Sequence, residues 1–313
     1  MCNIVPSPDL IYPLWRNKVE RKQKLHRTTS TEENRQRLWS ITSSIVNVVQ
    51  TVSTEVKMCV PNTSQEVVRL TMEKILVEPR DGTVASCLSN LLQMSADDAL
   101  ASGDTFKVGL SGGSLVQLLA QCLPNVTTDW NKWYFFFCDE RVVPFDSNDS
   151  TYGEYKLKLI GKIPVTEEQF IKINPDLPVL LVAEDAAKDY IKKMSVFFPP
   201  DRVPCFDVLL LGLGPDGHTC SLFPDHKLLN EASLWVCPIN DSPKPPPSRI
   251  TLTLPVINNA KKCIFAITGS GKAEIVKRIL QDRENLPAAR VQPHNGELYW
   301  ILDEGAAKFV ERA

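Results

Sequence analysis

Asp216 and His218 are the pair of residues in this sequence best placed to do chemistry, because they lie two positions apart in a glycine-rich turn. The turn spans 212–218 and directly follows the apolar run 206–211. Histidine has an ordinary pKa close to neutrality, and a neighbouring carboxylate can orient its ring or raise its basicity. The pair therefore predicts a general base. The alternative is a helix-capping turn that contains an incidental histidine.

The apolar run 206–211 is the element that must position this pair. It is too short to span a membrane and is typical of a strand buried on both faces. Open α/β sheets bind their ligands beyond the carboxyl ends of their strands. We therefore expect His218 to lie at the ligand-binding edge of a sheet.

Two glycine motifs suggest nucleotide binding but fail in detail. Residues 212–217 match G-x-G-x-x-G, yet Pro215 removes a backbone donor and no acid follows at the offset of about 20 residues expected for a ribose contact. Residues 269–272 resemble part of a P-loop, but Ala273 stands where Ser or Thr is required, and Ala266 where the first glycine belongs. Both nicotinamide and nucleoside triphosphate binding are disfavoured.

A third motif, G-x-S-x-G at residues 109–113, matches the nucleophile elbow of serine hydrolases. That fold needs an acid and then a histidine late in the chain, and His294 is the late candidate, between Pro293 and Asn295. A serine esterase is possible but not favoured.

The turn formed by Ser111, Gly112, Gly113 and Ser114 is better explained as an anion site. It lies between a predicted strand and the N-terminus of a predicted helix, where backbone N–H groups and the helix dipole attract negative charge. The alternative is a helix capping box made by Ser114 and Gln117. Two glycines flanked by two serines exceed what a tight turn needs, which favours the anion site.

Three cations lie at other predicted strand ends or turns: Arg141, Arg249 and Lys272. Each alone is typical of a solvated surface charge. Together with two glycine turns they indicate a phosphorylated small substrate, and the lack of a nucleotide signature favours a sugar phosphate. Asp139 and Glu140 end another strand and are candidate partners of sugar hydroxyls or of an arginine.

Composition excludes several other classes of function. The net charge of −2 argues against a nucleic-acid binder, and no apolar stretch reaches the ~18 residues of a transmembrane helix. Residues 1–11 do not form a secretory signal. The nine cysteines form no C-x-x-C pair, which favours the reducing cytoplasm. No zinc spacing is present, so we expect no metal, and no obligate protein partner is evident.

The order of predicted elements indicates an α/β fold with a mainly parallel sheet flanked by helices. Residues 1–53 are predicted to be a poorly ordered extension and 54–313 the catalytic domain. The predicted strands are 56–60, 106–110, 133–138, 206–211, 249–254 (nearer an edge), 263–267 and 298–302. The predicted helices are 64–75, 84–101, 115–123, 153–160, 185–197, 272–282 and 304–311.

Five segments of the chain carry a resemblance to a known family: 109–114, 137–144, 150–153, 212–224 and 245–253. In this order, they resemble the 6-phosphogluconolactonase family. The resemblance runs in register from about residue 104 to the C-terminus, and more loosely from about 54. It implies a Rossmann-like fold akin to the glucosamine-6-phosphate deaminase and ribose-5-phosphate isomerase group. It also implies cofactor-free hydrolysis of 6-phospho-D-glucono-1,5-lactone to 6-phospho-D-gluconate, the second step of the oxidative pentose phosphate pathway.

The resemblance also implies roles for most of these candidate site residues. The substrate phosphate would sit on the 111–114 turn, with Arg249 and Lys272 as cationic contacts. His218, helped by Asp216, would take a proton from water as the water attacks the lactone carbonyl. Arg141 would stabilise the developing negative charge.

The sequence departs from the family in two places. Residues 1–53 have no counterpart, and 74–84 look like an insertion where the family has one helix. Two alternatives stay open. The first is a deaminase or isomerase of amino-sugar phosphates, whose chemistry needs an acid a few residues beyond the histidine, whereas 219–224 contain none. The second is a non-catalytic sugar-phosphate-binding protein, for which a base would be superfluous.

Overall fold

The computed structural model describes residues 72–174 and 182–311. The predicted extension 1–53, the predicted strand 56–60 and most of the predicted helix 64–75 lie outside the described residues. Within the described ranges, no helix combines the length and the apolar character needed to cross a membrane.

Among the described residues, seven parallel strands form the main sheet, in the order β1-β10-β9-β6-β2-β3-β5. This arrangement confirms the predicted α/β class with a mainly parallel sheet. The strands are β1 Met72–Glu78, β2 Phe106–Leu110, β3 Trp133–Phe137, β5 Phe170–Ile171, β6 Val208–Leu211, β9 Lys262–Ile267 and β10 Glu297–Asp303.

Helices connect these strands, as parallel pairing requires. The α-helices are α1 Asp81–Ala101, α2 Ser114–Cys122, α3 Thr151–Lys158, α4 Val182–Met194, α5 Leu254–Ile257 and α6 Ala273–Leu280. The 3₁₀ turns are Leu123–Asn125, Trp130–Lys132, Glu167–Gln169, Lys227–Asn230, Ser270–Lys272 and Pro287–Arg290. Helix α1 contacts α2 and β10, and α4 contacts the second, smaller sheet.

The core forms where apolar strands are covered on both faces. All four residues of β6 are buried, as the continuous apolar run 206–211 predicts. Aromatic rings fill the space beside it: Phe265 and Trp300 stack with ring centroids 4.1 Å apart, and Phe106 meets Trp133 edge-on at 4.5 Å. This packing fixes the sheet and therefore the positions of its carboxyl-terminal turns.

The smaller sheet is antiparallel, in the order β4-β8-β7, with β4 Asp139–Arg141, β7 Val236–Ile239 and β8 Arg249–Leu252. The prediction that the strand at 249–254 lies nearer an edge is wrong, because β8 is the central strand of this sheet. Pro255 does not limit its pairing, since it falls in the first turn of α5. Strands β4, β5 and β7 are short and were not predicted.

The segment 72–84 corrects two predictions. The predicted helix 64–75 does not extend through its last residues, because β1 begins at Met72. The segment 74–84 is not an insertion into a helix: it contains most of β1, a two-residue turn and the start of α1. Pairing with β10 decides the strand, and the ammonium of Lys74 donates to the carboxylate of Glu297 and, at 2.9 Å, to the hydroxyl of Tyr299.

The predicted closing helix 304–311 is also wrong, because the chain forms successive turns there. The carboxylate of Asp303 accepts hydrogen bonds from the backbone N–H groups of Gly269 and Ala306. These bonds hold the start of the segment against the turn that precedes α6. A helical sequence pattern of eight residues is too short to outweigh such tertiary constraints.

We predict that Gly109→Ala destabilises the fold by about 1–3 kcal/mol, the usual cost of overpacking a core. A Cβ at this position in β2 would lie 2.3 Å from Leu209 Cδ2 and 3.0 Å from Cys138 Sγ. Chemical denaturation of the purified variant measures the change. Gly82→Ala is the matched control, since nothing lies within 4 Å of its Cβ position and helical alanine is neutral to stabilising. Equal stabilities of the two variants would contradict the packing of β2 against β6.

Candidate active site

Three turns meet at the carboxyl ends of the neighbouring strands β2, β6 and β9. The backbone N–H of Ser111 donates to the carbonyl of Leu210 at 3.1 Å. The ammonium of Lys272, which follows β9, donates to the carbonyl of Leu213 at 2.6 Å. The turns 111–114, 212–218 and 268–272 therefore form one edge, as the sequence predicts.

His218 and Asp216 are in direct contact at this edge. The imidazole Nδ1 lies 2.5 Å from Asp216 Oδ1, and the His218 side chain is 17% exposed. The ring lies against Phe223 with centroids 4.7 Å apart. The structure thus pairs the predicted base with its predicted partner and leaves the ring edge that carries Nε2 facing away from Asp216.

Gly214 makes this ring position possible. A Cβ on Gly214 would lie 2.0 Å from both Nδ1 and Cε1 of His218, closer than any real contact. The backbone N–H of Gly214 also donates to the carbonyl of His218 at 2.8 Å, which closes the turn. The glycine at 214 is therefore required by the approach of the imidazole to the backbone, which is a different reason from phosphate binding.

Lys244 is a site residue that the sequence did not reveal. Its ammonium lies 3.0 Å from Asp216 Oδ1 and 3.1 Å from His218 Nδ1. It belongs to the proline-rich loop 243–247, which precedes β8. The sequence held one signal for it: Lys244 stands between Pro243 and Pro245, and prolines restrict the backbone on both sides of it.

Burial and neighbouring charges set the protonation of this group. Burial opposes the ionisation of Asp216, but hydrogen bonds from His218 and Lys244 outweigh it and lower the pKa of Asp216 to about 2. Burial lowers the pKa of His218; Asp216 opposes the shift and Lys244 adds to it. The net result is an ionised carboxylate beside an imidazole that favours its neutral form, which is the form that can accept a proton.

The 111–114 turn leads directly into α2. Gly113 occupies the N-cap position with a φ of 75°, and no side chain caps the helix, so the capping box of Ser114 and Gln117 is not formed. The hydroxyls of Ser111 and Thr151 are buried and have no hydrogen-bond partner among the described residues. Open backbone donors at a helix N-terminus, beside buried hydroxyls, are suited to an anionic ligand.

Asp139 and Glu140 are adjacent in β4 but have different environments. Asp139 is buried and accepts a hydrogen bond from Ser221 Oγ at 2.9 Å. The carboxylate of Glu140 accepts the backbone N–H groups of Arg141, Thr151 and Tyr152 at 2.7–2.8 Å. Burial raises the pKa of Glu140 to about 7, although these N–H groups oppose the shift. Glu140 therefore anchors the start of α3, and its oxygens are engaged there.

Arg249 and Arg141 are paired across β8 and β4. The guanidinium of Arg249 is buried and donates to the carbonyls of Lys244, Pro245 and Pro246 at 2.8–2.9 Å, and to Ser221 Oγ at 3.4 Å. Arg141 Nη1 donates to the carbonyl of Asp149 at 3.0 Å. Like charges directly opposite one another destabilise a strand pair, so an anion beside these two arginines would be favoured.

Lys272 lies on the side of the turn 212–218, near Lys244. Burial lowers the pKa of Lys272, and the charge of Lys244 adds to that effect.

The charged and titratable residues predicted for the site fall into two groups. His218, Asp216 and Lys272 belong to one, and Asp139, Arg141 and Arg249 to the other. Phe223 connects them, since its ring contacts His218 and the Arg249 guanidinium lies 5.8 Å from its centroid. In the described ranges, no cluster of three or more His, Cys, Asp or Glu side chains is arranged to hold a metal.

The family model described as glucosamine-6-phosphate isomerases/6-phosphogluconolactonase matches residues 79–300. The chain belongs to this family. The 6-phosphogluconolactonase of Homo sapiens is 52% identical over 235 residues, covering 72% of this chain and 90% of that protein. The probable 6-phosphogluconolactonase of Drosophila melanogaster is 45% identical over 241 residues, covering 76% and 96%.

A solved structure supports the same family assignment. The 6-phosphogluconolactonase from Trypanosoma cruzi superposes on this chain with a TM-score of 0.66 at 27% identity. The alignment covers 75% of this chain and 96% of that one. The resemblance inferred from the sequence motifs is therefore confirmed, and so is the Rossmann-like fold.

We predict that Gly214→Ala moves the imidazole of His218 away from Asp216 and lowers the free energy of unfolding by about 1–3 kcal/mol, because the new methyl group overlaps the ring. A crystal structure of the variant and its denaturation curve test this. Gly212→Ala is the control within the same turn, since its nearest neighbour would be Ser111 Cβ at an ordinary 3.7 Å. If the His218 ring does not move in Gly214→Ala, a glycine at position 214 is not required for the position of the imidazole.

Proposed function

We propose that this chain hydrolyses 6-phospho-D-glucono-1,5-lactone to 6-phospho-D-gluconate, the second step of the oxidative pentose phosphate pathway. The observation that carries the proposal is the His218–Asp216 pair, a neutral base held at the ligand-binding edge of the sheet. The names of the family relatives, which are 6-phosphogluconolactonases, support the choice of substrate.

In the proposed reaction, Nε2 of His218 takes a proton from a water molecule while the water oxygen bonds to the lactone carbonyl carbon. The carbonyl oxygen then carries the negative charge, and Arg141 stabilises it. When the carbonyl re-forms, the bond from the carbon to the ring oxygen breaks. The imidazolium returns its proton to that ring oxygen, which becomes the C5 hydroxyl. The new carboxylic acid then ionises to the carboxylate and releases one proton to the solvent, so that atoms and charge balance without a cofactor or a covalent intermediate.

The phosphate of the substrate would be bound at the 111–114 turn. The backbone N–H groups of that turn, the N-terminus of α2 and the ammonium of Lys272 provide the positive potential. The buried hydroxyls of Ser111 and Thr151 gain partners when an anion binds there. Arg249 contributes less through direct hydrogen bonds, because four of its five N–H groups already donate to the loop carbonyls and Ser221. Asp139 accepts a hydrogen bond from Ser221 through Oδ2, and we expect its carboxylate also to accept one from a sugar hydroxyl.

Chemistry of the deaminase or isomerase type is less well supported. Its additional acid is missing from 219–224, and the side chain that meets the Asp216–His218 pair is the cation Lys244.

The cytoplasm is the proposed compartment, because the seven cysteines among the described residues are all free thiols.

We predict that His218→Ala lowers kcat/KM for the lactone by ~10²–10⁴-fold, the usual contribution of a general base. Binding of 6-phosphogluconate should stay nearly unchanged, since the phosphate contacts are intact. Acid release from freshly generated lactone measures the rate, and calorimetric titration measures the binding. His294→Gln is the control for loss of a histidine from the loop that precedes β10.

Three outcomes would contradict this proposal. A fully active His218→Ala variant would exclude the base assignment. Release of ammonia from an amino-sugar phosphate by the unaltered protein, without lactone hydrolysis, would favour the deaminase alternative. Binding of 6-phosphogluconate with neither activity would favour a non-catalytic role.

A further inference from the structure

Lys244 is a charged residue whose ammonium lies 3.1 Å from Nδ1 of the proposed base His218, but it has no part in the proposed hydrolysis. We propose that Lys244 is a positioning residue that holds Asp216 against Nδ1 of His218 and keeps the imidazole neutral, so that Nε2 stays free to accept a proton. This inference deepens the proposed hydrolase function and rests on it.

The loop that carries Lys244 is held firmly in place. The carbonyl of Lys244 accepts hydrogen bonds from Arg249 Nη2 at 2.8 Å and from Ser242 Oγ at 2.8 Å. Prolines on both sides restrict the backbone further. The backbone of Lys244 is therefore fixed, and its ammonium reaches Asp216 from this fixed position. The buried guanidinium of Arg249 supports the site by holding this loop.

The distances define which nitrogen of His218 carries the proton. A 2.5 Å separation between Nδ1 and Asp216 Oδ1 requires a proton between the two atoms, because two lone pairs would repel each other. With a pKa of about 2, Asp216 is ionised, so the proton belongs to Nδ1. Lys244 then cannot donate to Nδ1, and it donates to Asp216 Oδ1 at 3.0 Å instead. The same carboxylate oxygen is thus shared by an imidazole N–H and an ammonium.

The charges around His218 explain why this arrangement favours the neutral ring. Asp216, on the same turn, and Asp139, in β4, favour the imidazolium. Lys244, from the proline-rich loop, disfavours it, and burial of the ring acts in the same direction. Without Lys244, Asp216 would act on the ring with its full charge. The pKa of His218 would then be higher, and below that pKa the ring would be protonated and unable to act as a base.

The same charge assists the second half of the proposed reaction. An imidazolium that lies 3.1 Å from an ammonium is a stronger acid than one beside a lone carboxylate. It therefore returns its proton more readily to the leaving ring oxygen. Lys244 thus acts only through Asp216 and His218 and does not contact the substrate.

The test compares the full-length protein with Lys244→Met and Lys244→Arg. We expect Lys244→Met to raise the pKa of His218 by about one pH unit, because a nearby like charge is removed. The acid limb of the kcat/KM profile should move up by the same amount, since only the neutral imidazole is active. Lys244→Arg keeps the charge and should restore the original profile.

Histidine-selective ¹⁵N NMR provides a readout that does not depend on activity. The sequence contains four histidines, and the spectrum of His218→Ala identifies the signal of His218. The unaltered protein should show the Nδ1–H tautomer above its pKa. Lys227→Met is the matched control: Lys227 is 79% exposed and lies 3.9 Å from Asp241, so its loss removes one charge near the same loop.

The outcomes separate this inference from the proposed function. A uniform fall in kcat/KM at every pH, with the His218 pKa unchanged, would show that Lys244 only supports the loop. A rise in KM alone would show that it contacts the substrate. Either result would overturn the inference. If the unaltered protein does not hydrolyse the lactone, the proposed function fails, while the NMR titration still decides whether Lys244 controls His218.

Discussion

The parallel pairing of β2, β6 and β9 is the constraint on which the rest of this site depends. Parallel strands end at the same edge of a sheet, so the three turns that follow them must converge. Their separations are fixed by strand spacing and by the packed core beneath, not by contacts within the turns. The proposed base, the proposed anion-binding turn and Lys272 are thereby brought together from positions up to about 160 residues apart in the sequence.

The backbone at this edge is matched to the side chains that lie on it. Gly214 has no Cβ, which lets the imidazole of His218 lie directly against the main chain. Gly113, which adopts a positive φ, is the N-cap residue of α2 and has no side chain with which to cap the helix. In both places a glycine provides space or backbone donors rather than chemistry. Both turns contain glycines, but one holds the Asp216–His218 pair and the other leads into the N-terminus of α2.

The smaller sheet positions the remaining polar groups. Its middle strand, β8, begins with Arg249, whose guanidinium holds the proline-rich loop and through it Lys244. The neighbouring strand β4 supplies Asp139 to Ser221 and Glu140 to the N-terminus of α3. The buried charged side chains of Arg249, Asp139 and Glu140 therefore form hydrogen bonds with other groups of the protein. Such networks are costly to break, because each removal leaves a buried polar partner unsatisfied.

The sequence by itself determined the α/β class, the family, the approximate bounds of the central strands and the Asp216–His218 pair. These features depend on local patterns: continuous apolar runs, glycine turns and residues two positions apart. Tertiary structure alone decided the strand β1, the turns after Asp303, the small antiparallel sheet and the place of Lys244. Each depends on partners distant in the chain, such as Glu297 for Lys74 or Asp216 for Lys244. A residue's local pattern cannot show which distant charge it will meet, because that is decided only when the core brings the strand ends together.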